Sequence, residues 1–377
     1  MIFGRSGFGG AVADFEAASV AQDAKRSGKA FLRLQETYGQ AKESEVLDGG
    51  PRLAAVLDRV PPGPRAVVAV LVGACVERGA DAERCAPGVL AGLRSALEEA
   101  VAFADAWAAT GGGAFPVPRD GEPGEDVVER AGLDAALGWW KLRQWEMAAV
   151  ALLNHRAVRA RLDSRHELLR LLTTVARASG QEFRSLAHAL LVLDEEPLVA
   201  LHRASGTGYF LRISGIGDNF QLHTLLADAL IGGGHVEGHA PSPQEAAVCR
   251  ETPGQVEAVG SFDLAAPDGT PIGNEGAPAG IPVVDGVRLL VLDEPSVRLS
   301  WPAGRFFPGM RGDAVLERAL EPEETERWFT HVSPAEEPAG AEGSAGAEGP
   351  AGAEGPAGAE GPAGAKESAG AQGFAGR

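Results

Sequence analysis

PLVALHRASGTGYFLRIS, residues 197–214, is where the period of the chain changes. Before it, apolar residues recur every three or four positions. Within it, Tyr209, Leu211 and Ile213 alternate with Phe210, Arg212 and Ser214, as in a strand with one buried face. ASGTG, between the two extended runs, supplies turn residues, so the stretch predicts a β-hairpin.

The preceding residues, 1–196, read as helical. Pro51 is placed at a helix start, with Leu53, Val56, Leu57 and Val60 following at helical spacing. Ala66 to Val76 is apolar throughout, which predicts a helix buried on most sides and is too short to span a bilayer. Leu93, Leu97, Val101, Ala104 and Ala108 form one helical face; Leu142, Trp145, Ala149 and Leu152 form another. TGGGAFPVPRDGEPGE, 110–125, reads as a loop or linker between them. Ser164 and Glu167 match a capping box, Gly180 stops that helix, and Phe183 to Leu193 forms the next.

After the hairpin, GIGDN is a loop, Asp218 and Gln221 suit a helix start, and Gly232–Gly234 ends that helix. Ser242, Pro243 and Glu245 open another. From Val256 the chain reads as strands, with turns at Asp268-Gly269 and Asp285-Gly286, and Pro322 opens a last helix carrying Trp328. The expected fold is therefore α+β: a helical N-terminal half, a C-terminal half at 197–332 with a small mixed sheet, and a Gly-rich tail at 333–377.

In that tail glycine returns at every third position from Gly340 to Gly376, except at Glu367. A Gly-X-Y period is the signature of a collagen helix. Here prolines are few, none holds a Y position, and Glu367 stands where the axis requires glycine. Ala, Gly and Glu bury too little apolar surface to offset chain entropy, so the expectation is a disordered tail.

The formal net charge of −18 in 377 residues argues against a general nucleic-acid or anionic-membrane binder. The Ala, Gly and Arg richness suggests a GC-rich bacterial genome. Cys75, Cys85 and Cys249 give neither a disulfide framework nor a zinc spacing and read as buried thiols. MIFGRSGFGGAVADFE lacks the basic and apolar regions of a signal peptide. The expectation is a soluble cytoplasmic protein without a cofactor.

Catalytic signatures stay incomplete. Gly215 and Gly217 begin a GxGxxG pattern that Phe220 ends, and Arg212 stands where GxSxG needs glycine. His202 reads as a strand-surface residue. Trp139, Trp140 and Trp145 read as core or inter-half packing, and the arginines at 156, 159, 161, 165 and 170 as a solvated face paired with acids. Richest in polar groups is 206–239: Tyr209 and Arg212 on the hairpin, Asp218 and Asn219 at the helix start, then His223, His235 and His239. With the aromatic segment around Trp301–Phe307, this region is expected to bind a protein or small-molecule partner. The competing expectation is a hydrolase or metal-dependent enzyme using Asp218, His223, His235 and His239, since imidazole and carboxylate are suitable metal donors.

Overall fold

The computed structural model describes residues 7–119 and 121–334. The expected tail from 335 onward lies outside them.

Apolar spacing at three and four residues yields a helical half: α1 (Phe8–Val20), α2 (Ala24–Tyr38), α3 (Glu43–Ala55), α4 (Pro62–Glu77), α5 (Ala82–Ala109), α6 (Glu125–Ala131), α7 (Leu133–Leu153), α8 (Arg156–Ala160), α9 (Arg165–Ser179) and α10 (Arg184–Leu191). Helices α5 and α7 pack closely because Gly92 has no side chain: a Cβ there would lie 2.1 Å from the Trp145 ring. Residues 110–124 link α5 to α6, and side chains on both sides of them enter one apolar cluster. Trp139 lies within it, 1% exposed, and its indole donates to the Pro116 carbonyl of that link at 2.9 Å.

One helix start and one cap differ from what the sequence suggests. Pro51 lies inside α3, because the Glu45 carboxylate sets the start upstream: it accepts the amides of Lys42 (3.1 Å) and Gly9 (3.0 Å). Ser164 does precede α9, but its hydroxyl makes no capping bond, and Glu167 pairs with Arg94 across to α5 instead.

Beyond α10 the chain forms β1 (Glu196–His202) and β2 (Thr207–Ser214), the predicted antiparallel hairpin. Then come α11 (Asn219–Ala227), continued by a wide turn at Asp228–Gly232, and α12 (Pro243–Arg250). The remaining strands are β3 (Val256–Val259), β4 (Asp263–Ala265), β5 (Val283–Val284), β6 (Val287–Asp293), β7 (Ser300–Ala303) and β8 (Asp313–Ala319), before α13 (Pro322–Phe329). The main sheet runs β4-β6-β1-β2-β8, with β5 on β6; β3 and β7 pair separately. Strand β1 is parallel to β6 and antiparallel to β2, so the sheet is mixed.

Strand alternation assigns the two faces. Leu198, Ala200, Tyr209, Leu211 and Ile213 pack with Leu222, Leu225 and Leu226 of α11. Val199 and Leu201 face the other way, toward Trp328 and Phe329 of α13. His202 is buried rather than on the strand surface, and its Nδ1 meets Ser205 Oγ at 2.7 Å.

The helical half is closed by residues from far downstream: Phe307 and Met310 belong to its apolar cluster, and Phe306 stacks on His188 of α10 at 4.5 Å. A second tie is ionic. Arg159 of α8, 4% exposed, grips Asp194 just before β1 with two bonds of 2.8 and 2.6 Å, and donates a third, of 2.7 Å, to the Leu153 carbonyl at the end of α7. Among the other arginines of that stretch, Arg156 pairs with Glu195 and Arg161 with Glu83, while Arg165 donates to the Val192 carbonyl.

Candidate functional site

The turn from β2 into α11 is built on Gly215, whose φ of +66° suits glycine. A Cβ there would also lie 2.0 Å from the Arg311 carbonyl oxygen. Asp218 then caps α11, its carboxylate accepting the Gln221 amide at 2.9 Å. Burial pushes the Asp218 carboxyl up to about 6, against the pull of that amide and of Arg184. Asn219 is buried as well. Its side-chain amide donates to the Gly273 carbonyl at 2.9 Å, and its backbone amide to Gly276 at 2.8 Å, which holds the 273–276 loop against the helix start.

One turn on, His223 is 1% exposed. Its Nε2 accepts two backbone amides, Ser261 at 2.9 Å and Phe262 at 3.1 Å. Accepting both requires a lone pair on Nε2, so the network assigns the ring proton to Nδ1. Burial pushes the imidazole down to about 4, outweighing Asn274 and Asp263, which favour its charged form. At neutral pH the ring is therefore uncharged and presents one donor, Nδ1–H. The Asn274 side chain lies beside the ring and acts on it as a hydrogen-bond acceptor does, although no atom of the described residues meets Nδ1 in strict hydrogen-bond geometry, and Nδ1 itself is closed off from solvent.

His223 forms part of the wall of a cleft of about 720 Å³ between α11, the 260–275 segment and the 295–302 segment. That volume falls in the range of small-molecule pockets, roughly 300–1,000 Å³. The His223 ring edge at Cε1 lies toward Gly260, and Asn274 lies beside the ring, both residues being on the cleft wall. Trp301 stands at 4.9 Å from the His223 ring, edge to face, and Phe220 at 5.4 Å from Trp301. The indole N–H of Trp301 is also buried, with no hydrogen-bond partner among the described residues.

The structure thus brings Asp218, Asn219 and His223 onto one helix but does not gather all seven residues singled out from the sequence. Tyr209 is buried beneath the sheet, and its hydroxyl donates to the His235 carbonyl at 2.8 Å. The imidazoles of His235 and His239 are exposed. His239 touches the site through its backbone, accepting from Ser261 Oγ at 2.8 Å. Arg212 points to the opposite face of the sheet, as alternation with Leu211 and Ile213 requires, and pairs there with Glu317 at 2.6 Å. Among the described residues no three His, Cys, Asp or Glu side chains are placed to hold a metal ion.

Other wall residues, Phe262, Asn274 and Glu275, lie in loops without a motif, and sequence reasoning missed them. The one signal available was composition: GNEGAP, 273–278, is a turn-rich polar run beside a strand region. None of the described helices is long and apolar enough to cross a membrane. Comparison with known family models, curated proteins and solved structures finds no match.

Proposed function

We propose that this protein binds a small organic molecule in the cleft beside His223 and Trp301. The observation that carries this reading is a ligand-sized cleft with a buried, neutral His223 in its wall, whose Nδ1–H has only the Asn274 side chain beside it and no described residue in strict hydrogen-bond geometry. Leaving such a donor without a full hydrogen bond costs about 1–3 kcal/mol, which a ligand acceptor recovers once the Asn274 side chain shifts and opens Nδ1 to the cleft. Two backbone amides fix the ring, so the donor is oriented in advance.

The alternative, a hydrolase or metal-dependent enzyme on Asp218, His223, His235 and His239, has less support. Nε2 of His223 is already engaged, and the His235 and His239 rings lie exposed at the surface.

The test is a fragment screen on the isotope-labelled full chain, read by NMR at the side-chain N–H signals of His223 and Trp301. Hits should move both signals. Gly273→Leu should then weaken those hits at least tenfold, because Gly273 lies on the cleft wall and a Cβ there meets only Glu275 Oε2, at 3.6 Å. The chain should keep its thermal midpoint in that variant. Hits that bind elsewhere and leave both signals unmoved would sink the reading.

A further inference from the structure

The charged residues on the cleft wall share one sign. Asp263, Glu275 and Asp293 contribute to it, and no lysine or arginine among the described residues does. Asp293 is offset by Arg203, whose Nε donates to it at 2.7 Å. Asp263 instead accepts the Ser296 amide at 2.8 Å, which orients its charge without neutralising it. Glu275 stands exposed at the rim. Arg184 donates to the Glu275 backbone carbonyl at 3.4 Å but is not part of the wall.

The uncharged part of the wall is aromatic. Trp301 contacts both Phe220 and His223, and Phe262 lies 6.0 Å from the His223 ring. Ring faces carry negative quadrupole density, and a low-dielectric wall concentrates the field of nearby carboxylates. Both effects favour a positive charge and oppose an anion. The neutral His223 adds a donor, which selects for an acceptor atom and does not repel a cation.

We infer that the cleft takes an organic cation. A flat, carbonyl-bearing body accepts from His223 Nδ1–H, and a protonated amine on the same molecule faces Asp263 and Glu275. This inference rests on the binding reading above.

Three probes separate it from that reading, because they share a ring and a carboxamide acceptor and differ in charge: para-(aminomethyl)benzamide, para-methylbenzamide and para-carboxybenzamide. Each is titrated into the full chain and followed at the His223 and Trp301 side-chain signals. The cation should bind about tenfold tighter than the neutral probe, with the anion weakest. Salt should erode the preference. Glu275→Gln, at an exposed position, should reduce it to about threefold with the thermal midpoint unchanged.

Equal affinities, or a preference for the anion, overturn the cation assignment and leave the cleft reading standing. So does a failure of all three probes to move signals that fragment hits do move. A preference untouched in both Glu275→Gln and Asp263→Asn also overturns it. Failure of the fragment screen, by contrast, removes the cleft reading itself.

Discussion

Between pH 7 and 4, His223→Gln should gain about 3 kcal/mol of stability relative to the unsubstituted chain, and Asp218→Asn should lose about the same. The two groups sit on one helix and are shifted by the same cause, burial, in opposite directions. For His223, the folded value of about 4 lies below the ordinary 6.5. As pH falls through that window the unfolded chain takes up the proton first, so folding weakens. For Asp218, the folded value of about 6 lies above the ordinary 3.8. There the folded chain protonates first, so folding strengthens as pH falls.

In the natural sequence the two contributions largely cancel. Removing either group exposes the other. Urea denaturation of the three proteins at intervals from pH 7 to 4 reads this directly, with every other titrating group common to all. His223→Gln keeps a side-chain oxygen that can accept from Ser261 or Phe262, which limits collateral damage at the site. Three curves that run parallel would show that neither group is buried as described.

The second large effect is expected at Arg159. Arg159→Ala should cost about 3–5 kcal/mol in the same denaturation assay, because it takes both short charged bonds from Asp194, leaving it the Ser214 hydroxyl at 3.5 Å, and removes the donor to the Leu153 carbonyl as well. Arg159→Met combined with Asp194→Leu should recover most of that loss, since a buried pair replaced by apolar side chains of similar size is often close to neutral. The contrast separates a buried pair from a surface one, whose removal costs about 1 kcal/mol or less. A small loss in the single variant, or no recovery in the double, would be inconsistent with the burial of this pair.

Local periodicity made much of this architecture legible. The alternation of Tyr209, Leu211 and Ile213 gives both the hairpin and its buried face, and Ser242 with Glu245 gives the start of α12 through a capping box that the structure contains. What stayed hidden depends on partners distant in sequence. Nothing in VRLLVLD says that it pairs parallel to β1, because that register is set by layers on both faces of the sheet. Pro51 reads as a helix start only until the Glu45 contact with Gly9 is known.

The site shows the same division. Asp218 and His223 stand out by residue type and position. That the ring proton sits on Nδ1 follows from amides at Ser261 and Phe262, which no spacing rule connects to residue 223. Arg212 drops out for a reason already contained in the alternation: it shares a strand with Leu211 and Ile213 but not their face.

The seat of Phe307 and Met310 in the helical cluster carries a consequence for biosynthesis. A ribosome adding roughly 5–20 residues per second completes α10 several seconds before Met310 emerges. Throughout that interval the nascent bundle carries an uncovered greasy patch. Chains arrested short of Phe306 should therefore be captured by chaperones and cut by proteases, and those extended past Gly312 should resist both.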